Sequence, residues 1–139
     1  MLIDMKELAP LLREVKTIAV VGAIDKPSRP VDGVGRTMID MGFDIIPVHP
    51  KRSNIWGLTT YQTVTDIPIP VDIVNLFRAA KFCPDHAHEV LNMSPLPKIF
   101  WMQSGVVSPE ARTILEGSGI LVIEDRCLKV ELQALGITR

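Results

Sequence analysis

At 139 residues the chain has the size of one ordinary domain, so a single domain, residues 1–139, with one hydrophobic core is the expectation. Apolar residues make up 47% of it and the formal net charge is −1, a balance that excludes intrinsic disorder and a general polyanion binder, so nucleic acid is not an implied partner. Its two cysteines, Cys83 and Cys127, are too few and too far apart for a disulfide framework or a zinc pattern, which makes a reducing cytoplasm the expected compartment.

The opening stretch, Met1 to Val15, carries Asp4, Glu7 and Glu14 among its apolar residues. It therefore lacks the basic start and uninterrupted apolar centre of a signal peptide, and no stretch of the chain is apolar enough for a bilayer span. A helix is expected through Leu11, Leu12 and Val15, starting at Pro10 because proline does not sit deep inside a helix. Thr17 to Val21 (TIAVV) then reads as the first of five Ile- and Val-rich runs. The others are Asp44 to Val48, Asp72 to Leu76, Lys98 to Met102 and Ile120 to Ile123, and all five read as strands buried on both faces. Helical spacing fills the gaps between them. One helix opens at Pro30, stops at Gly42 and places Val34, Met38 and Met41 on one face. A second starts near Pro84 with Ala87, Val90 and Leu91 facing the core. A third has Ser108 as its cap, Pro109 first and Glu110 in its first turn, followed by Ala111, Ile114 and Leu115. A closing helix is expected around Val130 to Leu135.

Alternation of buried strands with helices predicts an α/β fold: a Rossmann-like three-layer αβα sandwich on a five-stranded parallel sheet, with strand order 3-2-1-4-5. Pro47 conflicts with a central strand and is placed at the carboxyl end of its run, where pairing finishes.

Ligands of open parallel sheets lie beyond the carboxyl ends of the strands, so each strand-to-helix turn is a candidate site. The first turn runs from Gly22 and Ala23 to Ser28, Arg29 and Pro30. It reads either as a phosphate cradle, with glycine, hydroxyl, guanidinium and a helix start, or as a tight turn whose glycine only permits packing. It matches neither a dinucleotide fingerprint nor a Walker A loop. The second strand ends in Val48-His49-Pro50-Lys51-Arg52, where an NAD site would carry an acid for the ribose hydroxyls. Lys51 and Arg52 instead suit a phosphorylated ribose, as found in NADP and coenzyme A. After the third strand, Phe77 and Arg78 offer a ring for adenine and a guanidinium for phosphate, and after the fourth, Gln103 and Gly105 shape a pocket. Trp101 reads as packing. His86 and His88 are two apart, share no helix face and read as solvated, so no metal site is expected. Cys127 has basic neighbours but is read first as a small packing residue. No nucleophile and base pair is evident, so no catalytic residue is assigned.

These segments together resemble the small CoA-binding proteins whose fold matches the N-terminal domain of the succinyl-CoA synthetase alpha subunit. The resemblance covers roughly residues 10 to 132 and rests on I-A-V-V-G-A with S-R-P at 18–30, I-P-V-H-P-K at 46–51, D-I-P-x-P-V-D-I-V-N-L-F-R at 66–78, W-M-Q-S-G-V-V at 101–107 and E-D-R-C-L-K at 124–129. It implies coenzyme A lying across the strand ends, its phosphates at Gly22, Ala23, Ser28 and Arg29 and its adenosine near Val48, Pro50, Lys51, Phe77 and Arg78. Position 49 is histidine where relatives often carry asparagine. The synthetase's phosphorylated histidine belongs to a second domain without counterpart here, so its ligase chemistry is not implied. The expectation is a CoA or acyl-CoA binding module without catalysis of its own, acting as a carrier, sensor or partner of another protein. The rival reading is an NAD(P)-binding redox sensor or small oxidoreductase.

Overall fold

Five apolar runs pair side by side, all parallel, in the computed structural model, which describes residues 4–139. The strands are β1 (Thr17–Val21), β2 (Asp44–Val48), β3 (Ile73–Leu76), β4 (Ile99–Met102) and β5 (Leu121–Ile123). Every residue of β1, β3 and β4 is buried, as expected of strands covered on both faces. The helices are α1 (Met5–Glu14), α2 (Pro30–Asp40), α3 (Cys83–Val90), α4 (Pro109–Leu115) and α5 (Leu128–Ala134). Met5 and Leu12 of α1, Val34 and Met38 of α2 and Leu128 and Leu132 of α5 pack with Ile18, Val20 and Ile73 on one face. Ala87 and Val90 of α3 and Ala111 and Leu115 of α4 pack with Ala19, Val74 and Phe100 on the other. The result is the three-layer αβα sandwich. No helix among the described residues is long and apolar enough to cross a membrane.

The strand order is β2-β1-β3-β4-β5, which corrects the expected 3-2-1-4-5. Handedness explains the difference. The β1–β2 connection carries α2 over one face, whereas the β2–β3 connection places Val64, Tyr61 and Ile67 on the opposite face. A right-handed crossover on the opposite face moves in the opposite direction, so β3 pairs with the free side of β1. Strand order therefore reverses between β1 and β3. Pro47 is tolerated because β2 is an edge: its carbonyl faces outward, accepting from the Tyr61 N–H at 3.1 Å, and the donor it lacks faces the same way.

Three local expectations are also corrected. Helix α1 starts at Met5, where the Asp4 carboxylate caps it by accepting from the Lys6 N–H at 2.9 Å, and Pro10 lies inside on the exposed face. The cap and the burial of Met5 and Ala9 offset the backbone hydrogen bond that proline removes. Leu91 follows the last turn of α3 and is 37% exposed, leaving Cys83, Ala87 and Val90 as the buried face. His86 is not solvated: its Nδ1 lies 2.6 Å from Glu89 Oε1 with its side chain mostly covered.

Candidate functional site

The point of reversal between β1 and β3 is where a parallel sheet opens a crevice, and Gly22 stands there. The N–H groups of Gly22 and Ala23 both donate to the Val48 carbonyl, at 3.0 and 3.3 Å, which ties the end of β1 to the end of β2. Gly22 has φ +84°, and a Cβ there would lie 2.5 Å from the Phe77 carbonyl oxygen and 3.1 Å from Arg78 Cδ. Only glycine lets the β3 turn pass so close. Its backbone donors are thus spent on the fold, and its contribution to the crevice is space.

Two lobes open around this crossing. The larger, about 480 Å³, is lined by Gly22, Ile24, Arg29, Pro30, Val31, Phe77, Arg78, Ala79, Gln103, Ser104 and Val106. The smaller, about 390 Å³, shares Gly22, Ile24, Phe77, Arg78 and Ala79 and adds His49, Pro50 and Lys51. They form one continuous cleft, apolar toward Val31 and Val106 and cationic toward Lys51. Arg29, Arg78 and Lys51 line it, and no carboxylate does, although the chain as a whole is slightly acidic. Such a concentration of one sign in a concave surface favours an anionic ligand.

The cations are held by three local devices. His49 Nδ1 accepts the N–H groups of Lys51 at 3.0 Å and Arg52 at 3.2 Å, so this nitrogen is the unprotonated one and the turn closes on it. A carboxamide oxygen at this position would accept in the same way. Burial, and then the nearby charges of Arg52, Arg78 and Lys51, hold the His49 pKa below its ordinary 6.5. The Arg78 guanidinium stacks over the Phe82 ring, 4.2 Å from its centre. Finally, the loop after Arg52 is latched to α2: the Trp56 indole N–H donates to Asp32 Oδ1 at 2.9 Å, and Arg36 Nε donates to the same carboxylate at 3.0 Å.

Of the residues expected from sequence, Gly22, Arg29, Pro30, Phe77, Arg78 and Gln103 meet in the larger lobe, and Pro50 and Lys51 join Gly22, Phe77 and Arg78 in the smaller. Ser28 is exposed on the loop and Arg52 is half-buried, and neither of them lines either lobe. Ala23 and Val48 are buried in the core, acting through their backbone. Gly105 lies on the rim, its N–H donating to the Asp125 carboxylate at 2.7 Å. Ile24, Val31 and Ala79 also line the cleft and carry no signal in the sequence, because apolar residues beside a turn look like core. Asp32, Trp56 and Phe82 act only by holding others, and a first-turn acid or a lone aromatic gives no distinct signal in sequence.

A doubly wound parallel sheet with a cationic, glycine-floored cleft at its reversal point defines a Rossmann-like α/β class of protein. Within that class the chain belongs to the CoA binding domain family, whose profile matches residues 16–133. It is similar to the Bacillus subtilis (strain 168) protein YneT, 39% identical over 124 residues that make up 89% of this chain and 90% of YneT. A Thermus thermophilus protein of solved structure is 38% identical with a TM-score of 0.88, covering 96% of this chain and 99% of that one. The fold also recurs in the acetyl-coenzyme A synthetase 1 of Ca. Korarchaeum cryptofilum, solved with phosphate and ADP. That likeness has a TM-score of 0.70 at 21% identity, over 83% of this chain and 26% of the synthetase, and concerns the fold alone.

Proposed function

We propose that the chain binds coenzyme A or an acyl-CoA across the strand ends, as a binding module that carries or senses the cofactor, or presents it to a partner protein, without chemistry of its own. One observation carries the reading: Lys51, Arg29 and Arg78 converge on a cleft whose lining holds no carboxylate, in a chain of the CoA binding domain family. Lys51, with Arg52 next to it in the chain, takes the ribose phosphate that coenzyme A has and NAD lacks. Arg78 spans both lobes and meets the diphosphate, with Arg29 in the larger lobe. Phe77 and Pro50 flank the adenine. The apolar arm runs into the larger lobe between Ile24, Val31 and Val106, toward Gln103 and the rim at Gly105.

Isothermal titration with CoA, dephospho-CoA, NAD and NADP tests this. CoA is expected to bind about tenfold or more tighter than dephospho-CoA, the worth of one charge-assisted phosphate contact. Equal affinity for the two removes Lys51 and Arg52 from their role, and tight NADP binding with no response to CoA replaces the reading by a nicotinamide-nucleotide binder.

A further inference from the structure

A carboxamide pair stands at the floor of the larger lobe. Asn75, in the middle of β3, is fully buried. Its Nδ2 donates to the Trp101 carbonyl at 3.3 Å and to Gln103 Oε1 at 3.4 Å, while its own Oδ1 has no partner. A buried side-chain oxygen without a partner is costly, so the opposite orientation of the amide must be worse. The reason lies in β4. The Trp101 carbonyl can only accept, so it must face the NH2 group of Asn75, and that same group can then face only the oxygen of Gln103. The backbone carbonyl sets Asn75, and Asn75 sets Gln103.

Gln103 has little freedom to escape this. Its N–H donates to the Leu76 carbonyl at 3.2 Å and its carbonyl accepts from Val106 at 2.9 Å, so its backbone is fixed at both ends. With Oε1 committed to Asn75, the remaining group, Nε2, has no partner among the described residues, and the side chain lines the lobe. Ile24, Pro30, Val31 and Val106 line the same lobe, together with the two cations Arg29 and Arg78. A pre-aimed neutral donor beside these apolar walls selects an apolar segment carrying one hydrogen-bond acceptor.

We propose that Gln103 is a specificity-determining residue that donates its amide N–H to a carbonyl oxygen on the apolar arm of the ligand, and that Asn75 is the positioning residue that turns it that way. The inference rests on the CoA reading. The carbonyl belongs to an amide of the pantetheine arm or to the thioester of an acyl-CoA, and both are acceptors of the same geometry.

The test is titration of the full chain and of Gln103→Leu and Asn75→Asp with 3′,5′-ADP, CoA, acetyl-CoA and the thioether S-ethyl-CoA. Gln103→Leu is expected to leave 3′,5′-ADP, which has no arm, within about twofold and to weaken a carbonyl-bearing ligand about tenfold. If the arm amide is read, CoA, acetyl-CoA and S-ethyl-CoA weaken alike. If the thioester is read, acetyl-CoA alone weakens. Asn75→Asp is expected to give the same selective loss, because the introduced carboxylate accepts from Gln103 Nε2 and turns its oxygen toward the ligand. A merely structural Asn75 would instead weaken every ligand in proportion, 3′,5′-ADP included, which overturns the proposal. Should Asn75→Asp fail to fold, the side-chain amide resonance of Gln103 in the unaltered protein decides: it shifts with CoA and not with 3′,5′-ADP, and an unmoved resonance overturns the proposal. Absence of binding by both 3′,5′-ADP and CoA would sink the CoA reading itself, whereas normal binding with no effect of Gln103→Leu sinks only the carbonyl contact.

Discussion

The Trp56 indole covers Gly35 of α2 so closely that a Cβ there would lie 2.2 Å from its ring, while the same indole donates to Asp32 one turn earlier. The pair fixes the loop that follows Lys51 and Arg52 against the helix that follows Arg29, so the two cationic rims of the cleft are braced by one side chain. Replacing a helical glycine by alanine ordinarily stabilises by about 1 kcal/mol. Here the sign reverses. Gly35→Ala must push the indole off Asp32 or strain the helix, and urea unfolding is expected to show a loss of about 1–3 kcal/mol.

Trp56→Phe shortens this brace at both of its contacts. The distal ring carbons that cover Gly35 are lost with the indole N–H, so the cover draws back and Asp32 is left with Arg36. A loss of about 1–2 kcal/mol is expected by the same measurement.

Such braces mark the boundary of what the chain reveals before it folds. The strands were legible because a parallel strand buried on both faces reads as a nearly continuous apolar run, even with Asn75 inside β3, and Thr17 to Val21 and Asp44 to Val48 begin and end as expected. Helices α2 and α4 announced themselves through Pro30 and through Ser108, whose Oγ accepts from the Ala111 N–H at 3.1 Å. The strand order was not legible, since it depends on which face the β2–β3 connection covers, and that is decided by Tyr61, Val64 and Ile67 finding α3 rather than by any local preference. Much of the cleft rim could be listed because turns at strand ends are where ligands lie. Its supports could not: Trp56 is 24 residues from Asp32, and Gln103 is 28 from Asn75.

His49 makes stability depend on pH. Its pKa is lowered in the folded chain, by burial first and then by Arg52, Arg78 and Lys51, so the unfolded chain takes up its proton first as pH falls. Stability is therefore undiminished above the unfolded value of 6.5 and declines as pH drops from there through the lowered folded value. Protonation at Nδ1 would also displace the Lys51 and Arg52 N–H groups. His49→Asn keeps an acceptor and removes the charge, so its Tm is expected to lose this slope between pH 7 and 5, against an unaltered slope if His49 plays no part.

At the carboxyl terminus Arg139 reaches back to the carbonyls of Val15, Leu12 and Arg13, satisfying the open end of α1, and its own N–H donates to Met41 at 2.8 Å. A Cβ on Gly42 would lie 2.3 Å from the Arg139 carbonyl, so the clasp also requires that glycine. Arg139→Ala is expected to cost about 1–2 kcal/mol in urea unfolding through the unsatisfied helix carbonyls, with the cleft unaffected and ligand titration unchanged.

Phe82 is the converse case, a residue whose loss should weaken binding more than stability. It is half-buried just before α3 and lines neither lobe, yet its ring carries the Arg78 guanidinium at 4.2 Å, with Lys81 at 5.1 Å. Stacking holds a guanidinium without using its five donors, so Arg78 is oriented while its hydrogen bonds stay available to an anion. Phe82→Leu keeps bulk and loses the ring face. Freed to sample other rotamers, Arg78 must be ordered again on binding, and CoA affinity is expected to fall about 3- to 10-fold with a Tm change of only a few degrees. Phe82→Tyr, which keeps the ring, should restore the affinity. The steepness of binding against salt concentration reports the number of charges engaged, and it should stay the same in Phe82→Leu, because the cation is still present, but fall in Arg78→Gln. Equal salt dependence in both variants would mean that Arg78 does not meet the ligand's charge.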